Sequence, residues 1–196
     1  MNIHTLTLGL YQTNCYLLEN NGQCVVIDPG YEPETILSFV KSHNLSVAGI
    51  LLTHGHFDHV GAVAPLAQAT ACNVWLHPDE LTLPAVMTGG PLFYTETYEE
   101  GDSLQLAGIT FSVMHTPGHT PGSVCLVTED AIFSGDTLFA GSIGRTDFPG
   151  SDPRQMVASL SRLSDLKKDY RIFPGHGEST TFAREKKYNP YLKGML

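Results

Sequence analysis

The sequence predicts an α/β domain with sheets stacked in the middle and helices on the outside. Three observations carry that expectation. Runs of short strands are punctuated by single helical segments, the pattern of sheet layers flanked by helices. Val47 to Leu52 is a continuous apolar run, as in a strand covered on both faces. No repeat, low-complexity segment or linker divides the 196 residues, so one domain spanning 1–196 is expected.

In chain order, residues 3–8, 13–19 and 24–28 read as short strands. The turn Asn20-Asn21-Gly22 separates the second from the third, and Asp28-Pro29-Gly30 stops the third. Ile36, Leu37 and Val40 fall at helical spacing and predict a helix over 33–43. The buried strand 47–52 is followed by a helix over 59–71 and a strand over 73–77. The polar, Pro/Gly-containing stretch 84–101 is expected to be a surface excursion. Strands follow at 104–107, 109–115, 123–128 and 131–134, with Gly108 and Glu129-Asp130 at the turns. A helix over 153–166, a strand over 170–173 and a helix near 180–188 complete the chain.

The 42% hydrophobic and 16% charged fractions are globular values and argue against disorder. Eleven basic against twenty acidic side chains leave a formal charge of −9, which disfavours nucleic acid and anionic membranes as partners. No apolar run approaches the roughly 20 residues that span a bilayer. The first five residues carry no lysine or arginine and lead into no long apolar core, so no secretory signal and a cytoplasmic location are expected. Cys15, Cys24, Cys72 and Cys125 are scattered without a C-x-x-C pair and read as reduced, buried thiols.

The chemistry is concentrated in nine histidines. After the strand ending at Leu52 comes Thr53-His54-Gly55-His56-Phe57-Asp58-His59, three imidazoles and a carboxylate within six residues. These are the ligands that zinc and similar divalent metals take where thiolates are absent. Extended backbone puts His54 and His56 on one face, and the following turn carries Asp58 and His59 toward a second position. Holding three imidazoles together without a cation is costly, because protonated rings repel. Three more loops repeat the arrangement at a strand end: Thr116-Pro117-Gly118-His119, Ser134-Gly135-Asp136 and Pro174-Gly175-His176. Each glycine lets backbones approach closely where ligands from separate strands can converge. His54, His56, Asp58, His59, His119, Asp136 and His176 make seven candidate ligands, which suits two divalent ions with a carboxylate able to bridge them. Solitary histidines more often serve as ordinary hydrogen-bonding residues, the role expected for His4, His43 and His77.

The run His54-x-His56-x-Asp58-His59, followed by His119, Asp136 and His176, resembles the metallo-β-lactamase fold superfamily. Within it, Thr116–Ser123, Gly135-Asp136-Thr137-Leu138-Phe139 and Pro174-Gly175-His176-Gly177 are similar to glyoxalase II (hydroxyacylglutathione hydrolase) and its compact bacterial relatives. The resemblance runs from Thr13-Asn14-Cys15-Tyr16 to Asn189-Pro190-Tyr191-Leu192. It implies a four-layer αββα sandwich with the metals at one edge between the sheets. It also implies that one metal takes His54, His56 and His119, that the second takes Asp58, His59 and His176, and that Asp136 bridges them. Zinc is the expected metal, with iron or manganese as alternatives. His115 is not a ligand in this pattern and is given a structural role.

The expected reaction is hydrolysis of a small-molecule thioester such as S-lactoylglutathione, by a hydroxide bridging the metals, with Asp58 orienting the nucleophile. No G-x-S-x-G elbow is present, and no histidine is placed to activate Cys15 or Cys125, so covalent catalysis is disfavoured. Arg145 lies nine residues beyond Asp136, where the glyoxalase II family carries a basic residue contacting the thiol carrier. The competing role for Arg145 is a surface pair with Asp147. Two departures from two-domain glyoxalase II stand out. Only twenty residues follow His176, room for about one helix and a tail rather than a helical domain, and the family's tyrosine two positions after the basic residue is replaced by Asp147. Recognition of the carrier could draw on Arg184-Glu185-Lys186-Lys187, although an ordinary solvated helix face is the favoured reading of those charges. Two rival functions follow from the same residues. Persulfide dioxygenases of the superfamily use one iron and share Gly144-Arg145-Thr146-Asp147-Phe148, but they carry alanine where this chain has Phe57. A non-catalytic metal-binding module would instead require a coordinatively closed site.

Overall fold

The computed structural model describes residues 1–193. Two six-stranded sheets form its centre. The first contains β1 (Asn2–Leu8), β2 (Thr13–Asn20), β3 (Gln23–Ile27), β4 (Ser46–Leu51), β5 (Val74–Leu76) and β6 (Glu96–Thr97), in that spatial order. The second runs in the order β14 (Thr180–Thr181), β13 (Arg171–Pro174), β10 (Ala131–Gly135), β9 (Val124–Val127), β8 (Ile109–His115) and β7 (Ser103–Leu106). A small hairpin, β11 (Leu138–Phe139) and β12 (Ser142–Ile143), stands apart.

Alternate side chains of the central strands feed different cores, which is why those strands read as unbroken apolar runs. On β2, Cys15 and Leu17 enter an outer cluster while Tyr16 and Leu18 enter the cluster between the sheets. β3 divides Cys24 and Val26 from Val25 and Ile27 in the same way. The outer cluster is closed by α1 (Pro33–Ser42) and α3 (Val63–Thr70), through Ile36, Val40, Val63 and Leu66. On the second sheet, Phe133 and Leu126 face inward, whereas Ile132 and Cys125 face outward onto Met156, Leu160 and Leu163 of α5 (Pro153–Ser164). α6 (Phe182–Tyr188) adds Phe182 to that outer layer. The layers are therefore αββα, as expected. α5 begins where Asp152 accepts hydrogen bonds from the backbone N–H groups of Arg154 and Gln155, with Pro153 supplying a preset φ.

Three sequence expectations need correction. The helix predicted over 59–71 is two helices, α2 (Phe57–Val60) and α3, because Gly61 packs against the Gly30 carbonyl and the chain turns there. The stretch 84–101 is not merely a surface excursion. It holds the short helix α4 (Ala85–Thr88), the edge strand β6, and Tyr98, whose ring is buried and whose hydroxyl donates to the Leu52 carbonyl. Aromatic burial with a satisfied hydroxyl overrides the polar composition around it. Residues 180–181, assigned to the last helix, instead pair with β13 as a strand.

Strand direction places the chemistry. β3, β4, β5 and β6 are mutually parallel, and β10 is parallel to β13, so several strands end at one edge of the sandwich. The sheets are joined across that edge: the Asn14 amide donates to the Gly175 carbonyl at 2.8 Å, and the Val124 amide to the Thr53 carbonyl at 2.9 Å. Tyr16 Oη donates to the Pro174 carbonyl at 2.5 Å. Among the described residues, no helix is long and apolar enough to cross a membrane.

Candidate metal centre

The loops that leave β4, β8, β10 and β13 bring all seven predicted ligands to this edge. His54, His56 and His119 form one group whose ligand atoms lie within 4.8 Å of one another, and Asp58, His59 and His176 form another. Asp136 sits between them. Its Oδ2 is 3.4 Å from His119 Nε2 and 3.6 Å from His176 Nε2, and its Oδ1 is 3.5 Å from His59 Nε2. Gly175 makes room for that carboxylate, since a Cβ there would lie 2.2 Å from Asp136 Oδ1.

Four of the five rings are held from behind. His59 Nδ1 donates to Asp28 Oδ2 at 3.0 Å, His119 Nδ1 to the Arg145 carbonyl at 2.8 Å, and His176 Nδ1 to the Tyr11 carbonyl at 3.1 Å. His54 Nδ1 donates to Thr53 Oγ1, which in turn donates to Asp28. The opposite nitrogens are thereby aimed inward, the arrangement metal-bound histidines show. Buried His54 Nε2, His56 Nε2 and Asp136 Oδ1 have no hydrogen-bond partner, and His56 Nδ1 lies 2.9 Å from His119 Nε2. Unpaired buried polar atoms are costly, and a divalent cation would satisfy them together. The donor set fits a metal.

The two groups differ electrostatically. Burial, reinforced by the neighbouring imidazoles, holds His54 well below the usual histidine range and pushes His56 down to about 3. Burial also lowers His119. These rings are neutral, ready to donate lone pairs at neutral pH. In the second group burial is outweighed. Asp136, Asp28 and Asp58 raise His59 to about 9, while a hydrogen bond to Asp58 and the Asp136 charge raise His176. The same His176 contact and the His59 charge overcome burial and hold the Asp58 carboxyl below its ordinary range. The second group thus keeps a proton where a cation would sit, so metal uptake there releases protons.

Two buried carboxylates supporting the site were not singled out in the sequence. Asp28 accepts from the Thr53 amide at 2.7 Å, from Thr53 Oγ1 and from His59, and its own backbone stands at φ 51°. It also lies near His54 and His59 as a possible ligand trio, but its oxygens are already occupied by these donors. A carboxylate directly after an apolar strand, in a glycine-containing turn as at Asp136, was the available signal. Glu80 accepts from the Gly55 amide at 2.5 Å and from the Gly122 amide at 2.6 Å, tying the His54–His56 loop to the His119 loop. Burial pushes its carboxyl up to about 7 against those hydrogen bonds. Nothing around Glu80 in the sequence marks it. Asp28→Asn is expected to weaken metal binding about 10- to 100-fold, because the amide cannot accept from both Thr53 and His59 while carrying no charge. Chelator competition measures this, and wild-type affinity in the variant would refute the supporting role.

The cleft over these residues has a volume of about 520 Å³ and is lined also by Tyr11, Phe57, Met87, Phe139, Ile143, Arg145 and Phe148. Arg145 borders the cleft, and it pairs with Asp147 through Nε–Oδ1 and Nη2–Oδ2 contacts of 2.7 Å each. His115 stacks on His77, with ring centroids 4.2 Å apart, and donates from Nε2 to the Pro121 carbonyl. All four cysteines are free. Burial raises Cys15 and lifts Cys125 to about 11, so neither supplies a thiolate near neutral pH.

An αββα sandwich with five histidines and two aspartates converging at one sheet edge defines a metal-site protein of the metallo-hydrolase class. The chain belongs to the metallo-beta-lactamase superfamily, whose family model matches residues 8–176. It is similar to the hydroxyacylglutathione hydrolase GloC of Haemophilus influenzae, at 36% identity over 208 residues covering 98% of each chain. Among solved structures it is similar to the BLEG-1 B3 metallo-beta-lactamase (38% identity, 98% of this chain and 100% of that one, TM-score 0.91). TTHA1623, solved in a di-iron-bound form, shares 45% identity over 96% of this chain and 100% of its own, with a TM-score of 0.85.

Proposed function

We propose that this chain is a binuclear-metal hydrolase that cleaves a small-molecule thioester, such as S-lactoylglutathione, to a hydroxy acid and a free thiol. The observation that carries the reading is the pair of three-residue groups sharing Asp136, with unpaired ring and carboxylate atoms pointing between them. His54, His56 and His119 would hold one ion, Asp58, His59 and His176 the other, and Asp136 would touch both. Zinc suits this all-nitrogen-and-oxygen set, as do iron and manganese, and the di-iron form of TTHA1623 is a precedent for iron. Two divalent cations supply acidified water and carbonyl polarisation.

The chain's own residues do the rest. The oxygen of water bonds to the carbonyl carbon as water gives up its protons to solvent, the carbon–sulfur bond breaks, and the sulfur leaves as thiolate with the bonding electron pair. Asp58 orients the attacking water, its Oδ2 fixed by Thr13 Oγ1 at 3.2 Å. Arg145, at the cleft, contacts the thiol carrier through the guanidinium donors that Asp147 leaves free. The His176 side chain is 27% exposed, so the centre opens to the cleft rather than being sealed as in a purely structural site. The charge of −9 favours a small-molecule substrate over nucleic acid or an anionic membrane, and the sequence favours the cytoplasm as its location.

The test is hydrolysis of S-lactoylglutathione by metal-replete protein, with a chelated sample alongside. Thiol release should fall at least about 100-fold on chelation and return with zinc. Equal rates with and without chelator would refute metal-dependent hydrolysis. The Gly144–Phe148 string keeps one rival in play: oxygen consumption with a persulfide by iron-loaded protein, without thioester turnover, would favour the dioxygenase.

A further inference from the structure

The walls of the cleft differ chemically from its floor. Beside the ligands stand Tyr11, Phe57, Met87, Phe139, Ile143 and Phe148. Tyr11 and Phe57 meet edge to face at 5.2 Å, giving a rigid aromatic wall. Phe148 lies 5.8 Å from the His56 ring, and Phe139 lies 6.3 Å from His176, so apolar rings flank both ligand groups. Leu10 and Val86, the sequence neighbours of Tyr11 and Met87, are 96% and 76% exposed.

Charge offers little to set against this. Arg145 is the one basic side chain other than the ligand histidines that lines the cleft. Both edges of its fork that face Asp147 are engaged at 2.7 Å, and its guanidinium lies 3.9 Å over the Phe148 ring. Asp147 offsets part of that cation's charge and leaves only its remaining N–H donors to polar groups of the carrier. The chain as a whole is strongly acidic. Attraction for an anionic carrier is therefore weak, and area removed from water supplies the discrimination.

Resting on the thioester-hydrolase reading above and extending its acyl group beyond lactoyl, we infer that the cleft selects thioesters by an apolar acyl group, aliphatic or aromatic, rather than by the anionic groups of the thiol carrier. Such an acyl chain lies along Tyr11, Phe57 and Met87 while its carbonyl sits over the two ligand groups.

The experiment compares acetyl, butanoyl and hexanoyl thioesters on two carriers, neutral N-acetylcysteamine and anionic glutathione, using the metal-replete protein. A fully buried methylene is worth a factor of about four, so kcat/KM should rise at least about tenfold from acetyl to hexanoyl in this open cleft. Changing the carrier at constant acyl group should alter it by less than about threefold, with little dependence on salt. Met87→Ala should shrink the hexanoyl-to-acetyl ratio by about threefold. Calorimetry should show S-hexyl-N-acetylcysteamine, a thioether that cannot be hydrolysed, binding more tightly than its S-methyl counterpart. Turnover independent of acyl length, or a salt-sensitive preference of more than about tenfold for glutathione, would overturn the inference and leave the hydrolase reading intact. No turnover of any thioester would overturn the hydrolase reading and this inference with it.

Discussion

Asp136→Ala is expected to lower thioester turnover by about 1,000-fold or more, equivalent to roughly 4 kcal/mol of transition-state stabilisation. It should also reduce the metal retained per chain. The reason lies in position. Asp136 is the carboxylate within 3.6 Å of His59, His119 and His176, which belong to both ligand groups. Alanine removes the shared anion and brings His59 and His176 into a site with less negative charge, so the second cation loses most. Asp136→Asn separates charge from shape, because it keeps the side-chain volume that Gly175 accommodates but removes the charge. Metal content by elemental analysis and kcat/KM on the same samples test this together. Near-wild-type hydrolysis by the alanine variant would refute a mechanism that needs both ions.

Gly30→Ala is expected to destabilise the fold by about 3 kcal/mol, the upper end of overpacking costs. For a chain of this size that lowers the melting midpoint by about 6–12 °C. Gly30 is not itself a candidate ligand, yet a Cβ there would fall 1.8 Å from the Asp58 carbonyl oxygen and 3.5 Å from His59 Cα. Both contacts are with main chain, so no side-chain rotation relieves them. Either the β3–α1 loop or α2 must move, and α2 carries two of the candidate ligands. Metal content should fall along with stability. An unchanged melting midpoint would show that the loop adapts and that close packing here does not position the site.

Asp58 and His59 show how far the sequence reaches. Their identity and spacing marked them as ligands, because few other roles gather imidazoles and carboxylates so densely. What holds them is written elsewhere in the chain: Gly30 beneath the backbone, Asp28 behind the His59 ring, Thr13 against the Asp58 carboxylate. None of these lies within 25 residues of the pair, so no local pattern connects them. Tyr98 teaches the same lesson for the fold. Its neighbours Thr95, Thr97 and Glu99 read as surface, and its burial follows from packing in the cluster between the sheets, with its hydroxyl on the Leu52 carbonyl two strands away in the same sheet.

By itself, the sequence determined the layered α/β class, most strands and the seven candidate ligands. Those properties depend on short-range periodicity and on residue chemistry, both visible along the chain. The break between α2 and α3, the carboxylates Asp28 and Glu80 and the apolar walls of the cleft were decided by tertiary structure. Each depends on which residue distant in sequence comes within a few ångströms, and that proximity exists only once the strands have paired and the layers have packed.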